Sequence, residues 1–239
     1  MTLHFPPQQS TQLESAKKKA SDMTPEEFDQ LAQLHDSFKP LWVTPTIQAG
    51  PILPSDKDDL VGYMNDERVY SFLIGPPNPY LPEHADHWIR TRVSRMTIKG
   101  SPLHLALRDM EKGGKLIGSV GCSDELDENL DGDDTGYWLS PDYHGQGIMA
   151  KALRLVLQEI SIKEVGKRKY NSCANVGNWA SRKTMEKVGF VVQPDIQIGL
   201  KDGVEVHQWR LRLYLTEEDL ATREVAIEAT PLPSLVGAK

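Results

Sequence analysis

The chain has little cysteine, no long hydrophobic run and no excess of positive charge, and each shortage excludes a class of protein. Its 239 residues include two cysteines, Cys122 and Cys173, too few for a disulfide framework, so we expect a reducing, cytoplasmic compartment. No stretch approaches the ~20 apolar residues of a membrane span, and the first residues lack the apolar core of a secretory signal. The formal net charge of -7 disfavours nucleic acid and acidic membranes as partners.

The polar and apolar segments divide the chain into four parts. Residues 1–22 are polar and contain a run of three lysines, which predicts a disordered arm. Residues 23–41 begin with a capping pattern at Thr24-Pro25-Glu26-Glu27 and are predicted to form a helical extension. Residues 42–215 carry the strand and helix patterns of one domain, and residues 216–239 are predicted to form a peripheral helix and tail.

Within the domain, apolar periodicity and turn residues predict most of the elements. Residues 42–49 are predicted to form a first strand, although Pro45 weakens it. Helices are predicted after Ser55 and from Pro82. Two hairpins are predicted, pairing Leu103–Leu107 with Leu116–Cys122 and Val191–Leu200 with Val204–Tyr214, the latter with a bulge between Val206 and Trp209.

The most informative stretch runs from Gly136 to Ile160. Gly136–Leu139 suits a short strand, Ser140-Pro141-Asp142 is typical of a turn, and a glycine loop at 144–147 leads into an amphipathic helix. The first N–H groups of a helix have no intrahelical partner, so a strand, glycine loop and helix in this order can bind a phosphate or diphosphate. A plain strand-to-helix turn is the alternative, because neither the Walker loop nor the six-residue dinucleotide motif is present.

This stretch resembles the acetyl-CoA motif of the GNAT superfamily of N-acetyltransferases, in particular the ribosomal-protein-alanine (Rim-type) branch. His144 stands where the family usually has Arg or Gln, Gly147 is the central glycine, and Met149 replaces the final Gly or Ala. The Rim-type branch often has an aromatic residue followed by Gly-x-Gly-Ile-Met, as in the sequence around Tyr143 here.

A second block strengthens the resemblance about thirty residues later. Members of the branch carry Asn-x-x-Ser before a helix that ends in Gly-Phe. Asn178 and Ser181 match the first pair, and Gly189-Phe190 match the helix end. Capping of the helix by Asn178 is the simpler explanation for the first pair, and it is compatible with ligand binding.

The resemblance implies an α+β fold, with a mixed, mostly antiparallel central sheet that splays in the middle and has helices on both faces. It also implies acetyl-CoA as co-substrate, without a metal. The Leu139 N–H would face the acetyl carbonyl, and Asn178 would bond pantetheine. The pyrophosphate would be held by the backbone N–H groups of His144, Gly145, Gln146, Gly147, Ile148 and Met149.

The resemblance is less informative about catalysis. Many members use a Tyr in the second helix as general acid, but Met185 occupies that position and a thioether cannot donate a proton. Ser181 is then the candidate that orients or protonates the thiolate. For the base, Asp134 is the first candidate and Glu125 and Glu67 are alternatives, as is water.

The function predicted is acetyl transfer to a primary amine: a protein N-terminus, a polyamine or another small amine. The alternative is a non-catalytic acyl-CoA-binding or scaffolding module. Residues 124–134 are strongly acidic and could be a solvated loop or a collar that attracts a cationic amine. His84 and His87 are too few for a metal site. We expect a monomer or a homodimer.

Overall fold

A computed structural model of the chain describes residues 22–97, 99–123 and 135–215. The predicted arm, apart from Asp22, the acidic stretch 124–134 and the predicted tail 216–239 lie outside the described residues. The helices are α1 (Pro25–Asp36), α2 (Lys57–Met64), α3 (Glu67–Tyr70), α4 (Pro82–Val93), α5 (Ile148–Val156, continuing as a π-helix over Leu157–Val165) and α6 (Trp179–Val188). The strands are β1 (Leu41–Trp42), β2 (Ile47–Gly50), β3 (His104–Asp109), β4 (Lys115–Cys122), β5 (Thr135–Leu139), β6 (Lys169–Asn175), β7 (Val191–Lys201) and β8 (Val204–Tyr214).

The strands form two sheets, of five strands in the order β1-β2-β3-β4-β5 and of three strands in the order β6-β8-β7. Every backbone ladder among the described residues is antiparallel. The sheets meet at β5 and β6, where the Thr135 hydroxyl donates to Ser172 Oγ at 2.9 Å, but no described backbone ladder joins these two strands. The predicted splayed sheet of an α+β fold is confirmed.

Helices cover both faces of the five-stranded sheet. Successive residues of a strand point to opposite faces, and along β3 Leu105 packs in the same apolar cluster as α5, whereas Ala106 packs with α2 and α4. Trp138 of β5 belongs to the second cluster, while its neighbour Leu139 packs against the first. One side of the central sheet therefore faces the glycine-loop helix, and the other faces the helices of the N-terminal half.

The local helix signals act as predicted. Thr24 caps α1 with its side chain, and the Glu27 carboxylate accepts in return from the Thr24 N–H at 3.0 Å. Gly189 ends α6 with a left-handed backbone (φ 113°), which glycine adopts without strain. No helix among the described residues is both long and apolar enough to traverse a bilayer.

Two predictions about strands are wrong in detail. The expected strand over 42–49 is two short strands, β1 and β2, which pair Leu41 with Ala49 across a turn that contains Pro45. The expected bulge between Val206 and Trp209 lies instead in the partner strand, where the register shifts between Val192 and Ile196.

Candidate active site

A cleft of about 1040 Å³ opens between β5 and β6, where the two sheets diverge. All five residues of β5 line it, as do residues 172–175 of β6 and the first turns of α5 and α6. Its volume slightly exceeds the roughly 300–1,000 Å³ of ordinary ligand pockets, which suits an extended ligand. Basic residues from α3 and α6 also line the cleft: Arg68, Lys183 and Lys187.

The glycine loop forms one end of this cleft. Gly145 and Gly147 have positive φ angles of 75° and 74°, and a Cβ built on either would meet no described atom within 4 Å. Gly147 caps α5 without a side-chain hydrogen bond, and the first helical bond runs from the Lys151 N–H to the Gly147 carbonyl. The N–H groups of the intervening residues therefore have no intrahelical acceptor and suit an anion.

His144 differs from its expected role in one respect. The His144 N–H already donates to the Pro141 carbonyl at 3.1 Å, so the amides of the loop without a described acceptor begin at Gly145. The Gln146 side chain donates to the Asp142 carbonyl at 3.3 Å, which leaves the expected role of its backbone N–H a prediction. The exposed His144 imidazole lines the cleft, and its Nε2 donates to the Leu139 carbonyl at 3.0 Å.

Leu139 presents its backbone to the cleft. The N–H of the next residue, Ser140, points to β4 and donates to the Ile117 carbonyl at 2.7 Å. Because successive N–H groups along a strand point to opposite edges, the Leu139 N–H points away from β4 and into the fork. A donor in this position can bind a carbonyl oxygen and the negative charge that develops on it.

Asn178 and Ser181 lie on the opposite wall. Asn178 caps α6 by accepting from the Ser181 N–H at 3.1 Å, and no described residue accepts from its own amide Nδ2. The Ser181 hydroxyl lies 2.9 Å from the Tyr137 hydroxyl, and either oxygen can be the donor of that bond. The single Tyr137 hydroxyl proton can alternatively go to the Ser181 carbonyl, at 3.1 Å. Burial raises the pKa of Tyr137 to about 12, so that its proton is retained at physiological pH. No sequence pattern predicts this pair, because its members are 44 positions apart.

Of the remaining catalytic candidates, those that the structure describes do not reach the cleft. Met185 is fully buried in the core and faces no ligand cleft. Glu67 is exposed and lines neither of the two large clefts, so nothing supports it as the base. Asp134 and Glu125 lie outside the described residues. Among the described residues, no group of three or more acidic, His or Cys side chains could hold a metal ion.

A second pocket, of about 890 Å³, adjoins the first on the side of α2 and α4. The two share Leu73 and residues 135–138 of β5 as a common wall. The segment 75–80 and α4 form much of its rim, and α2 contributes apolar side chains. A ligand that extends along β5 in the cleft can therefore meet a second ligand that enters from the pocket.

Cationic and imidazole groups line the second pocket. Arg92 lies in the last turn of α4, and Arg95 follows the end of that helix. His104 comes from β3, where its ring covers the bare backbone of Gly121. Burial and the two arginines hold the pKa of His104 well below its usual 6.5, so this imidazole stays neutral. Burial, with a smaller contribution from Arg95, lowers the pKa of Arg92.

The family of the chain is established by comparison with known proteins. A family model described as acetyltransferase (GNAT) domain matches residues 50–191. YdaF of Bacillus subtilis (strain 168), named as a candidate ribosomal N-acetyltransferase, is 26% identical over 149 residues, which are 62% of this chain and 79% of that protein.

Solved structures share the fold at low sequence identity. The ribosomal-protein-S5-alanine acetyltransferase of Vibrio fischeri aligns with a TM-score of 0.60 at 17% identity, covering 75% of this chain and 98% of its own. The ribosomal L7/L12 acetyltransferase RimL, solved with coenzyme A, gives 0.59 at 14%, with coverages of 76% and 99%. The microcin C7 immunity acetyltransferase MccE, solved with acetyl-CoA and AMP, gives 0.59 at 16%, also with 76% and 99%.

Proposed function

Because the chain belongs to the GNAT acetyltransferase domain family, we propose that it transfers an acetyl group from acetyl-CoA directly to a primary amine. The observation that carries the proposal is the fork between β5 and β6, which ends at the amides of a glycine-capped helix. The Rim-type relatives favour a protein N-terminus as acceptor, and a polyamine or another small amine remains an alternative. We expect the protein to act in the cytoplasm, as its cysteine content predicted.

The cleft fits acetyl-CoA in shape and in charge. Open space beside Gly145 and Gly147 leaves room for a diphosphate at the N-terminus of α5. The N–H groups from Gly145 to Met149 would bind it, as the resemblance implied for that stretch. Lys183 and Lys187 add positive charge along the same cleft. The Asn178 Nδ2 would donate to pantetheine, while its Oδ1 continues to cap α6.

Bound acetyl-CoA supplies a thioester, whose acetyl carbon is attacked by the neutral amine and whose sulfur leaves as a thiolate. The Leu139 N–H donates to the carbonyl oxygen and stabilises the oxyanion. Ser181, supported by Tyr137, donates a hydrogen bond to the sulfur as it gains charge. The pKa of Tyr137 is about 12, whereas that of an ordinary thiol is roughly 8.5. A proton passed from Tyr137 through Ser181 to the thiolate would therefore leave the less stable anion on Tyr137, so a hydrogen bond to the sulfur is favoured over complete proton transfer.

The amine must lose its proton before or during the attack. Asp134 and Glu125 remain our candidates for this base, and Asp134 directly precedes Thr135, which lines both the cleft and the second pocket. The amine would enter from the second pocket and reach the cofactor at β5. This arrangement keeps the two substrates on opposite sides of one strand until they meet.

An acceptor screen tests the proposal. Purified protein is incubated with acetyl-CoA and a panel of N-terminal peptides, polyamines and small amines, and both thiol release and acetylated products are measured. Amine-dependent thiol release with a matching acetylated amine is the expected result. Tight binding of acetyl-CoA without transfer to any amine would instead favour a non-catalytic acyl-CoA-binding module, for which the loss of the usual tyrosine at Met185 is the argument.

A further inference from the structure

The second pocket contains several buried polar groups that have no protein partner. The Arg92 Nε, His104 Nδ1 and Trp138 Nε1 atoms are buried and lack a hydrogen-bond partner among the described residues. Buried polar groups in proteins are nearly always paired. The three residues come from α4, β3 and β5 and all line this one pocket, which indicates that a ligand completes their hydrogen bonding.

Most of these groups can only donate hydrogen bonds. The Arg92 guanidinium and the Trp138 indole have no acceptor atom. Tyr80, whose side chain is almost completely buried, adds a hydroxyl, and Arg95 adds a second guanidinium to the wall. No described residue that lines the pocket is acidic, although the chain as a whole carries a net charge of -7. The ligand that matches this wall accepts hydrogen bonds and carries negative charge.

Arg92 provides the strongest argument for a negatively charged ligand in the second pocket. Its side chain is half-buried, and its guanidinium lies 5.5 Å from the centroid of the Trp88 ring. None of the described carboxylates forms an ion pair with it, whereas the buried Arg108 on the same side of the sheet is paired with Asp56 at 2.5 Å. A cation removed from water without a counter-charge is unfavourable, and an incoming anion relieves the cost.

We infer that the second pocket binds an oxyanion of the acceptor, so that the enzyme acetylates amines that also carry a carboxylate or a phosphate. The inference rests on the proposed function, because it assigns this pocket to the acceptor. Leu60, Met64 and Leu73 supply an apolar wall for the carbon chain between the amine and the oxyanion. The acidic stretch 124–134, expected as a possible collar for a cationic amine, lies outside the described residues. The described lining of the pocket is positively charged.

Matched pairs of acceptors test the inference and separate the sources of the oxyanion. Butylamine against γ-aminobutyrate tests a small carboxylate, ethanolamine against phosphoethanolamine tests a phosphate, and Ser-Gln-amide against Ser-Glu-amide tests an acidic side chain near a peptide N-terminus. In at least one pair we expect kcat/KM to be about 10- to 100-fold higher for the anionic member, the range of a charge-assisted hydrogen bond. Equal rates within all three pairs, or a preference for the neutral members, would overturn it.

Variants of α4 connect the preference to the pocket. Arg92→Gln should lower kcat/KM for the preferred anion by about 10- to 100-fold, and Arg92→Lys should keep part of the preference. Arg90→Gln is the matched control, since the Arg90 guanidinium lies over the Phe28 ring at 3.9 Å and outside the pocket. A preference that survives unchanged in a folded Arg92→Gln variant would contradict the assignment.

Direct binding keeps the inference testable if no amine is acetylated. Calorimetry of γ-aminobutyrate, phosphoethanolamine and Ser-Glu-amide, with coenzyme A present, should show binding of at least one of them to the wild type and weaker binding to Arg92→Gln. That result would support the oxyanion site even if no acetyl transfer were found. Acetylation of amines without any anion preference would support the transfer and overturn the oxyanion site. Failure of all three anionic compounds to bind the wild type would also overturn the inference.

Discussion

The Tyr137 hydroxyl lies 2.9 Å from Ser181 Oγ and connects β5 to α6 across the cleft. Ser181→Ala should therefore lower kcat by about 100-fold, as the loss of one positioned donor does in other acyl-transfer sites. The affinity for acetyl-CoA, measured by calorimetry, should stay within about twofold, because the helix amides carry the binding. Unchanged turnover at saturating substrates would refute the role of Ser181.

Tyr137→Phe should reduce kcat less than Ser181→Ala does. The Ser181 hydroxyl remains in this variant and loses only its hydrogen bond with the Tyr137 hydroxyl. The double variant should be about as slow as Ser181→Ala alone, because residues that act as a unit are not additive. Tyr214→Phe, at an exposed position of β8, is the control and should have wild-type kinetics. Independent, additive losses would indicate that the two hydroxyls do not work together.

Gly147→Arg should abolish acetyl-CoA binding, because the side chain would fill the open space at the N-terminus of α5. Gly166→Arg is the matched control: Gly166 has φ 80°, close to the 74° of Gly147, it also has open space around it, and it lies outside the cleft. Both variants should lose stability through left-handed strain of about 1–2 kcal/mol, but only Gly147→Arg should lose affinity. Normal calorimetric affinity in folded Gly147→Arg would exclude this cradle.

The buried pair of Asp56 and Arg108 should hold α2 against the sheet. Asp56 is 3% exposed, and its carboxylate accepts from both terminal nitrogens of Arg108, at 2.5 and 2.7 Å. Asp56→Ala should lower the free energy of unfolding by about 3–5 kcal/mol, since it leaves a buried cation unpaired. Asp86→Ala removes an exposed ion pair with Lys57 and should change the free energy of unfolding by less than about 1 kcal/mol. Similar denaturant midpoints for both variants would contradict the difference.

His104 should make the protein less stable in mild acid. Its pKa in the folded protein lies well below 6.5, so the unfolded chain binds a proton that the folded chain does not. This contribution leaves stability intact above about pH 6.5 and lowers it as the pH falls, by on the order of 1 kcal/mol at one unit below. The loss of stability between pH 7.5 and 5.5 should shrink by about that amount in His104→Gln. An equal acid loss in the wild type and in His104→Gln would disprove this prediction.

The sequence predicted the parts of the site that depend on local chemistry. Thr24 as a cap, Gly189 as a helix end and the glycine loop before α5 each follow from the backbone preferences of a few adjacent residues. The fork between β5 and β6 is not visible in either strand alone, and it was predicted only from the resemblance of two motifs.

The contacts that sequence patterns missed are those between distant elements. From the sequence, Tyr137 is predicted only to be an aromatic residue of a strand. The packing of α6 against β5 brings it to Ser181. Arg92 and His104 belong to different elements, and each alone is an ordinary polar residue on an apolar element. Pro45 was expected to weaken one strand, whereas it lies in the turn between two.

In the proposed reaction, the forked cleft presents acetyl-CoA to an amine that enters from the far side of β5. Mass spectrometry of an amine panel, after incubation with acetyl-CoA and either the wild type or Ser181→Ala, detects the acetylated product itself. We expect an acetylated amine with the wild type and about 100-fold slower formation with the variant. Absence of any acetylated amine from a wild-type sample that binds acetyl-CoA would refute acetyl transfer in this cleft.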